Sequence, residues 1–94
     1  MTRQSSTQAR RAALLGTNPR FRLYLDARKR KRHELTLEQL PDGTHDEQDA
    51  ADAIRQACGI RSRRELDTNH EARQMLDRIV SDYQAWERRQ ARGR

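Results

Sequence analysis

Residues 72–86 read ARQMLDRIVSDYQAW, and within them Ala72, Met75, Leu76, Ile79, Val80, Tyr83 and Trp86 recur at intervals of three and four. That spacing is the stripe of an amphipathic α-helix, apolar on one face and polar on the other. Thr68 and Glu71 stand before it at capping-box spacing, and Arg88 to Arg94 follow it, where basic side chains complement the helix dipole. The expected helix covers residues 69–90.

Upstream the same logic gives two more helices. Thr44 and Glu47 form a capping box, Asp46, Glu47 and Asp49 crowd the first turn, and Ala50, Ala51, Ala53, Ile54, Ala57 and Cys58 make a small-residue face ending at Gly59. This predicts a helix over 45–58. Asn18 followed by Pro19 reads as an N-cap and first helical position, with Phe21, Tyr24, Leu25 and Arg28 at helical spacing, so a helix over 19–34 is expected. The rival reading is a hairpin in which Phe21, Leu23 and Leu25 alternate opposite Leu35 and Leu37.

Two short helical turns complete the pattern. Thr36 with Gln39 opens one that ends at Pro41, and Ser62 with Glu65 opens the other. The expected fold is therefore all-α, a small bundle of three main helices with short connecting turns. Residues 18–90 form the helical domain. Residues 1–17 are expected to be a flexible basic arm with one helical turn over 10–15 closed by Gly16, and residues 91–94 a disordered tail.

Leu, Ile, Val and Phe make up only 14 of 94 residues, so the core is expected to be marginal. A partner or a second copy would complete it, with Met75, Ile79, Tyr83 and Trp86 as the docking or homodimer face of the last helix. Cys58 is the only cysteine and no stretch nears the roughly 20 apolar residues of a membrane span. The expected setting is cytoplasmic, without a membrane.

Charge is segregated along the chain. Residues 1–34 carry +8, residues 35–54 carry −6 and residues 55–94 carry +4, within a net +6. Arg28, Lys29, Arg30, Lys31 and Arg32 put five consecutive positive charges on one helix, a run whose self-repulsion phosphates would relieve. The alternative is that the five acids of residues 42–52 fold back and screen it. Eighteen of the twenty basic residues are Arg, whose planar donor fork suits phosphates, guanine edges and carboxylates.

No catalytic or metal motif stands out in the sequence. His33, His45 and His70 share no i, i+4 pair with one another or with Cys58, Asp67, Glu71 and Asp77 coincide with capping and surface positions, and there is no glycine-rich phosphate loop. The chain is expected to be non-enzymatic and free of cofactors and metals. Two functions fit: a small Arg-rich accessory protein that binds DNA or RNA, or a protein-interaction module, an inhibitor or adaptor, that grips an acidic partner. Both are of the kind encoded by phages and mobile elements.

Residues 53–66, AIRQACGIRSRREL, resemble the helix-turn-helix of DNA-binding repressors, with Gly59-Ile60 closing one helix and Ser62 opening the next. The resemblance implies that Arg61, Arg63 and Arg64 contact the major groove or its phosphates. It departs from the pattern at Arg55, where a small residue is wanted, and at Leu66, which comes one position late.

Overall fold

A computed structural model describes residues 7–93. Over that range it holds four α-helices: α1 (Thr7–Thr17), α2 (Pro19–His33), α3 (Glu47–Cys58) and α4 (His70–Arg92), with a 3-10 turn at Arg63–Asp67 between the last two. The all-α class stands, and the hairpin alternative falls because Phe21 to Leu35 lie on α2 and its cap.

The boundaries follow local chemistry. Asn18 accepts from the Arg20 N–H at 2.9 Å and Pro19 needs no N–H partner in the first turn. At the other end, Glu34 takes the left-handed conformation (φ 54°) and the Leu35 N–H reaches back to the Arg30 carbonyl at 2.9 Å. Arg30, Lys31, Arg32 and His33 thus occupy the last turn of α2, the negative end of the helix dipole. This placement offsets part of the self-repulsion of the basic run. α3 closes in the same way on Gly59 (φ 69°), where the left-handed backbone suits a residue without a Cβ.

Three expectations at the helix starts are corrected. α3 is capped by Asp46 and Asp49, not by Thr44 and Glu47, because the Thr44 hydroxyl is engaged by Asp26. α4 is capped by Asn69, which accepts from the Ala72 N–H at 3.0 Å, so Thr68 stands outside the helix. The Thr36–Gln39 exchange forms, but closes one hydrogen-bonded turn and starts no helix. The Ser62–Glu65 box forms as expected and opens the 3-10 turn.

The larger correction concerns the N-terminal arm. Residues 7–17 are an eleven-residue helix, and Ala12 and Gly16 are buried against the rest of the chain. Gly16 comes so near α3 that an added Cβ would lie 3.9 Å from that of Ala50. Small residues on both helices allow this approach, and dispersion contact over a short distance replaces the missing large side chains. At the other end α4 continues to Arg92, so residues 91–92 are helical. Residues 1–6 and 94, the rest of the expected arm and tail, lie outside the described residues.

The core joins Phe21 and Tyr24 of α2, Ala50, Ile54 and Cys58 of α3, Leu66 of the 3-10 turn, and Ala72, Leu76, Ile79 and Tyr83 of α4. Phe21, Tyr24, Tyr83 and Trp86 form an aromatic cluster with centroids 5.5–6.2 Å apart. Within it the Tyr83 hydroxyl donates to Glu87 at 3.0 Å and accepts from Asn18 at 3.2 Å, which ties the start of α2 to α4. Burial raises the Tyr83 pKa, and the Glu87 carboxylate adds to the shift. Ile79 and Tyr83 are therefore part of the chain's own core, packed with residues of α2 and α3. Met75 and Trp86 are half-buried at its edge.

Asp26 is the one buried charged residue among the described residues, and its side chain is wholly enclosed. It accepts from the Gly43 N–H at 2.7 Å, the Thr44 N–H at 3.3 Å, the Thr44 hydroxyl, and His45 Nδ1 at 2.6 Å. Burial pushes the carboxyl pKa up, but the hydrogen bonds from Thr44, His45 and Gly43 outweigh it and leave the group below its ordinary value. One carboxylate on α2 thereby fixes the segment that leads into α3.

Candidate nucleic-acid interface

The five-residue basic run does not form one surface. At about 100° per residue, Arg28, Lys31 and Arg32 share a side of α2, while Lys29 and Arg30 point elsewhere. Arg30 is only 17% exposed: its guanidinium donates to the Leu40 carbonyl at 2.8 Å and pairs with Asp42 at 3.1 Å. It holds the α2–α3 connection in place, which removes it from the expected contact set. Lys29 is exposed and lines none of the three depressions described below.

Arg28, Lys31 and Arg32 line a groove between α2 and α4 of about 540 Å³, with Arg89, Asp82 and Trp86 from the facing helix. Through Tyr24, Arg28, Arg32 and Asp82 it runs into a second depression of about 430 Å³, floored by Phe21, Leu25, Ile54 and Ile79 and rimmed by Arg78. Arg28 is oriented by a 3.0 Å hydrogen bond to the Tyr24 hydroxyl and lies 3.9 Å from Asp82, the single carboxylate lining either depression. Trp86 carries the Arg20 guanidinium 5.8 Å above its ring, and Arg20 is itself held by Glu87 at 2.9 Å.

Arg78 and Arg89 join these depressions from α4 without belonging to the basic run. Their signal lies in the sequence, since positions 78, 82, 85 and 89 recur at helical spacing beside the apolar stripe of α4. The clue has meaning only once α2 is known to lie alongside.

A second basic cluster gathers Arg10 of α1, Arg55 of α3 and Arg61, Arg63 and Arg64 around a depression of about 500 Å³. Arg10, Arg61 and Arg64 are exposed, and Arg55 is paired with Asp52. The segment implied to be a recognition helix is instead the 3-10 turn Arg63–Asp67, whose Leu66 is buried. Arg61, Arg63 and Arg64 are thus brought together, but not on an α-helix that would enter a groove. The sequence could not reveal Arg10 as their neighbour while α1 was read as an arm.

The acids of residues 42–52 serve mostly in place. Asp46 and Asp49 cap α3 and Asp52 pairs with Arg55, so Asp42 alone of the five reaches the basic run.

Family models, curated proteins and solved structures were compared with this chain, and none matches it.

Among the described residues no group of three or more His, Cys, Asp and Glu side chains could hold a metal ion. No described helix is long and apolar enough to cross a membrane. Cys58 is buried at the end of α3, where desolvation raises its thiol pKa and lowers the thiolate fraction that nucleophilic chemistry requires.

Proposed function

We propose that this is a non-enzymatic nucleic-acid-binding accessory protein that holds phosphates in the groove between α2 and α4. The observation that carries this reading is the meeting of Arg28, Lys31, Arg32 and Arg89, from two helices, in one groove with a single carboxylate. Four cations on one strip match a polyanion better than an isolated carboxylate, because each neutralised phosphate also releases condensed counterions. Contacts of this type act on the backbone, so binding would depend weakly on sequence.

An acidic protein partner remains the second class. It would use the same cations, but it also needs the apolar face of α4, and Ile79 and Tyr83 on that face are buried. The nucleic-acid reading therefore has the better support.

Fluorescence anisotropy with a labelled 20-mer, as duplex DNA, single-stranded DNA and RNA, tests it. Binding should weaken steeply as salt rises, with a log–log slope of about −3 to −4 on duplex DNA if the groove engages about four phosphates. No binding even at low salt would discard the proposal and leave the groove to an acidic protein.

A further inference from the structure

We infer that the cluster built on Arg10, Arg61, Arg63 and Arg64 is a second, separate phosphate-binding surface, and that the protein bridges two nucleic-acid segments. This rests on the nucleic-acid reading of the α2–α4 groove. The new element is the relation of the two basic surfaces to α3.

The groove system of α2 and α4 borders α3 at Ala53, Ile54 and Ala57, whereas the second cluster borders it at Arg55. On an α-helix residue 55 lies about 160° round the axis from both 53 and 57. The two surfaces therefore occupy opposite flanks of one helix, about 10–12 Å thick with its side chains. They share no lining residue. A straight duplex lying in the first groove cannot turn back to reach the second, so the second is free to take another segment.

The second surface also has an excess of positive charge over its own counter-ions. Asp52 pairs with Arg55, Glu65 accepts from the backbone of Arg61 and Ser62, and Glu47 shares a depression with Arg63. Arg10 and Arg64 are exposed and have no ion pair among the described residues. Arg11 of α1 pairs with Asp77 at 2.6 Å and Arg20 at the start of α2 pairs with Glu87 at 2.9 Å. Arg10 and Arg64 are thus left available to a polyanion on this flank of α3.

The test is capture of a fluorescent duplex by an identical duplex fixed to beads, with the full-length protein titrated from below to well above the DNA concentration. Sedimentation of the protein alone gives its oligomeric state. The expected capture rises and then falls, because excess protein saturates each duplex separately. Arg61→Gln/Arg63→Gln/Arg64→Gln should lower capture by about tenfold or more while single-duplex binding in anisotropy stays within about threefold of the parent. Arg10→Gln/Arg64→Gln, confined to exposed side chains, should show the same direction and guards against a folding defect. Undiminished capture by both variants would overturn the inference, since bridging would then come from two copies of the first groove. Single-duplex binding without any capture by the parent protein would overturn it as well. Failure to bind either duplex would instead sink the nucleic-acid reading itself.

Discussion

Replacing Asp26 by Ala is expected to lower the stability of this protein by about 3 kcal/mol, since truncating a buried, hydrogen-bonded charge strands its partners. The change removes the shared acceptor of Gly43, Thr44 and His45 and opens a hole beneath them. For a domain of this size the melting temperature should fall by about 12–24 °C, at about 4–8 °C per kcal/mol. Asp26→Asn keeps the shape but turns an acceptor into a donor toward donors, so it should fall between the two. The sign of the pH dependence follows from the depressed pKa of Asp26. Its contribution is fully present above the ordinary carboxylate value of about 3.9 and is lost as pH falls through the lower folded-state value. Urea unfolding at pH 7 and at about pH 3 should show the gap between parent and Asp26→Asn shrinking in acid. A gap that is constant across that range would mean that the carboxylate is not held as described.

The second large effect concerns the groove. Lys31→Gln/Arg32→Gln/Arg89→Gln should weaken duplex binding at physiological salt on the order of a hundredfold, with about one unit of salt slope lost per phosphate contact removed. Lys31, Arg32 and Arg89 are exposed, so the melting temperature should hardly move. Lys29→Gln is the internal comparison, because Lys29 carries the same charge on the same helix but stands outside the groove. It should cost far less. Equal losses from Lys29→Gln and from Arg32→Gln would indicate that only net charge matters and that the groove has no special role.

These two cases also show where the sequence is informative. α4 and α3 are legible because a long 3, 4 stripe and a run of caps agree with one another. Even there the cap moves. Thr44, His45 and Asp46 precede α3 together, and the choice among them depends on Asp26, nearly twenty positions upstream. Nothing local marks Asp26 either, since a lone acid in a basic helix reads as a surface residue until the incoming loop encloses it. α1 is legible only as the turn over 10–15, for a different reason: Ala9, Ala12, Ala13 and Gly16 are too small to give a strong stripe, and the close approach of Gly16 to Ala50 shows only once α3 is in place.

The basic sites divide in the same way. That Arg28 to Arg32 carry concentrated charge is plain from the sequence. That Arg30 is occupied by Asp42 and Leu40, and that Arg89 joins Lys31 and Arg32, depends on how α2 meets its neighbours. The sequence shows Met75, Ile79, Tyr83 and Trp86 as one face of α4, but not that α4 has a mate within the chain that buries Ile79 and Tyr83. α2 and α3 supply that mate, through Phe21, Tyr24 and Ile54.

The most direct measurement is a two-dimensional amide NMR titration of the isotope-labelled protein with a short duplex, followed residue by residue with the Trp86 indole N–H included. The account predicts that the earliest and largest shifts fall on Arg28, Lys31 and Arg32 of α2 and on residues 82–89 of α4, with Trp86 among them, while Lys29 and Arg30 shift less. Saturating shifts confined to other parts of the chain, with α2 and α4 unmoved, would contradict it.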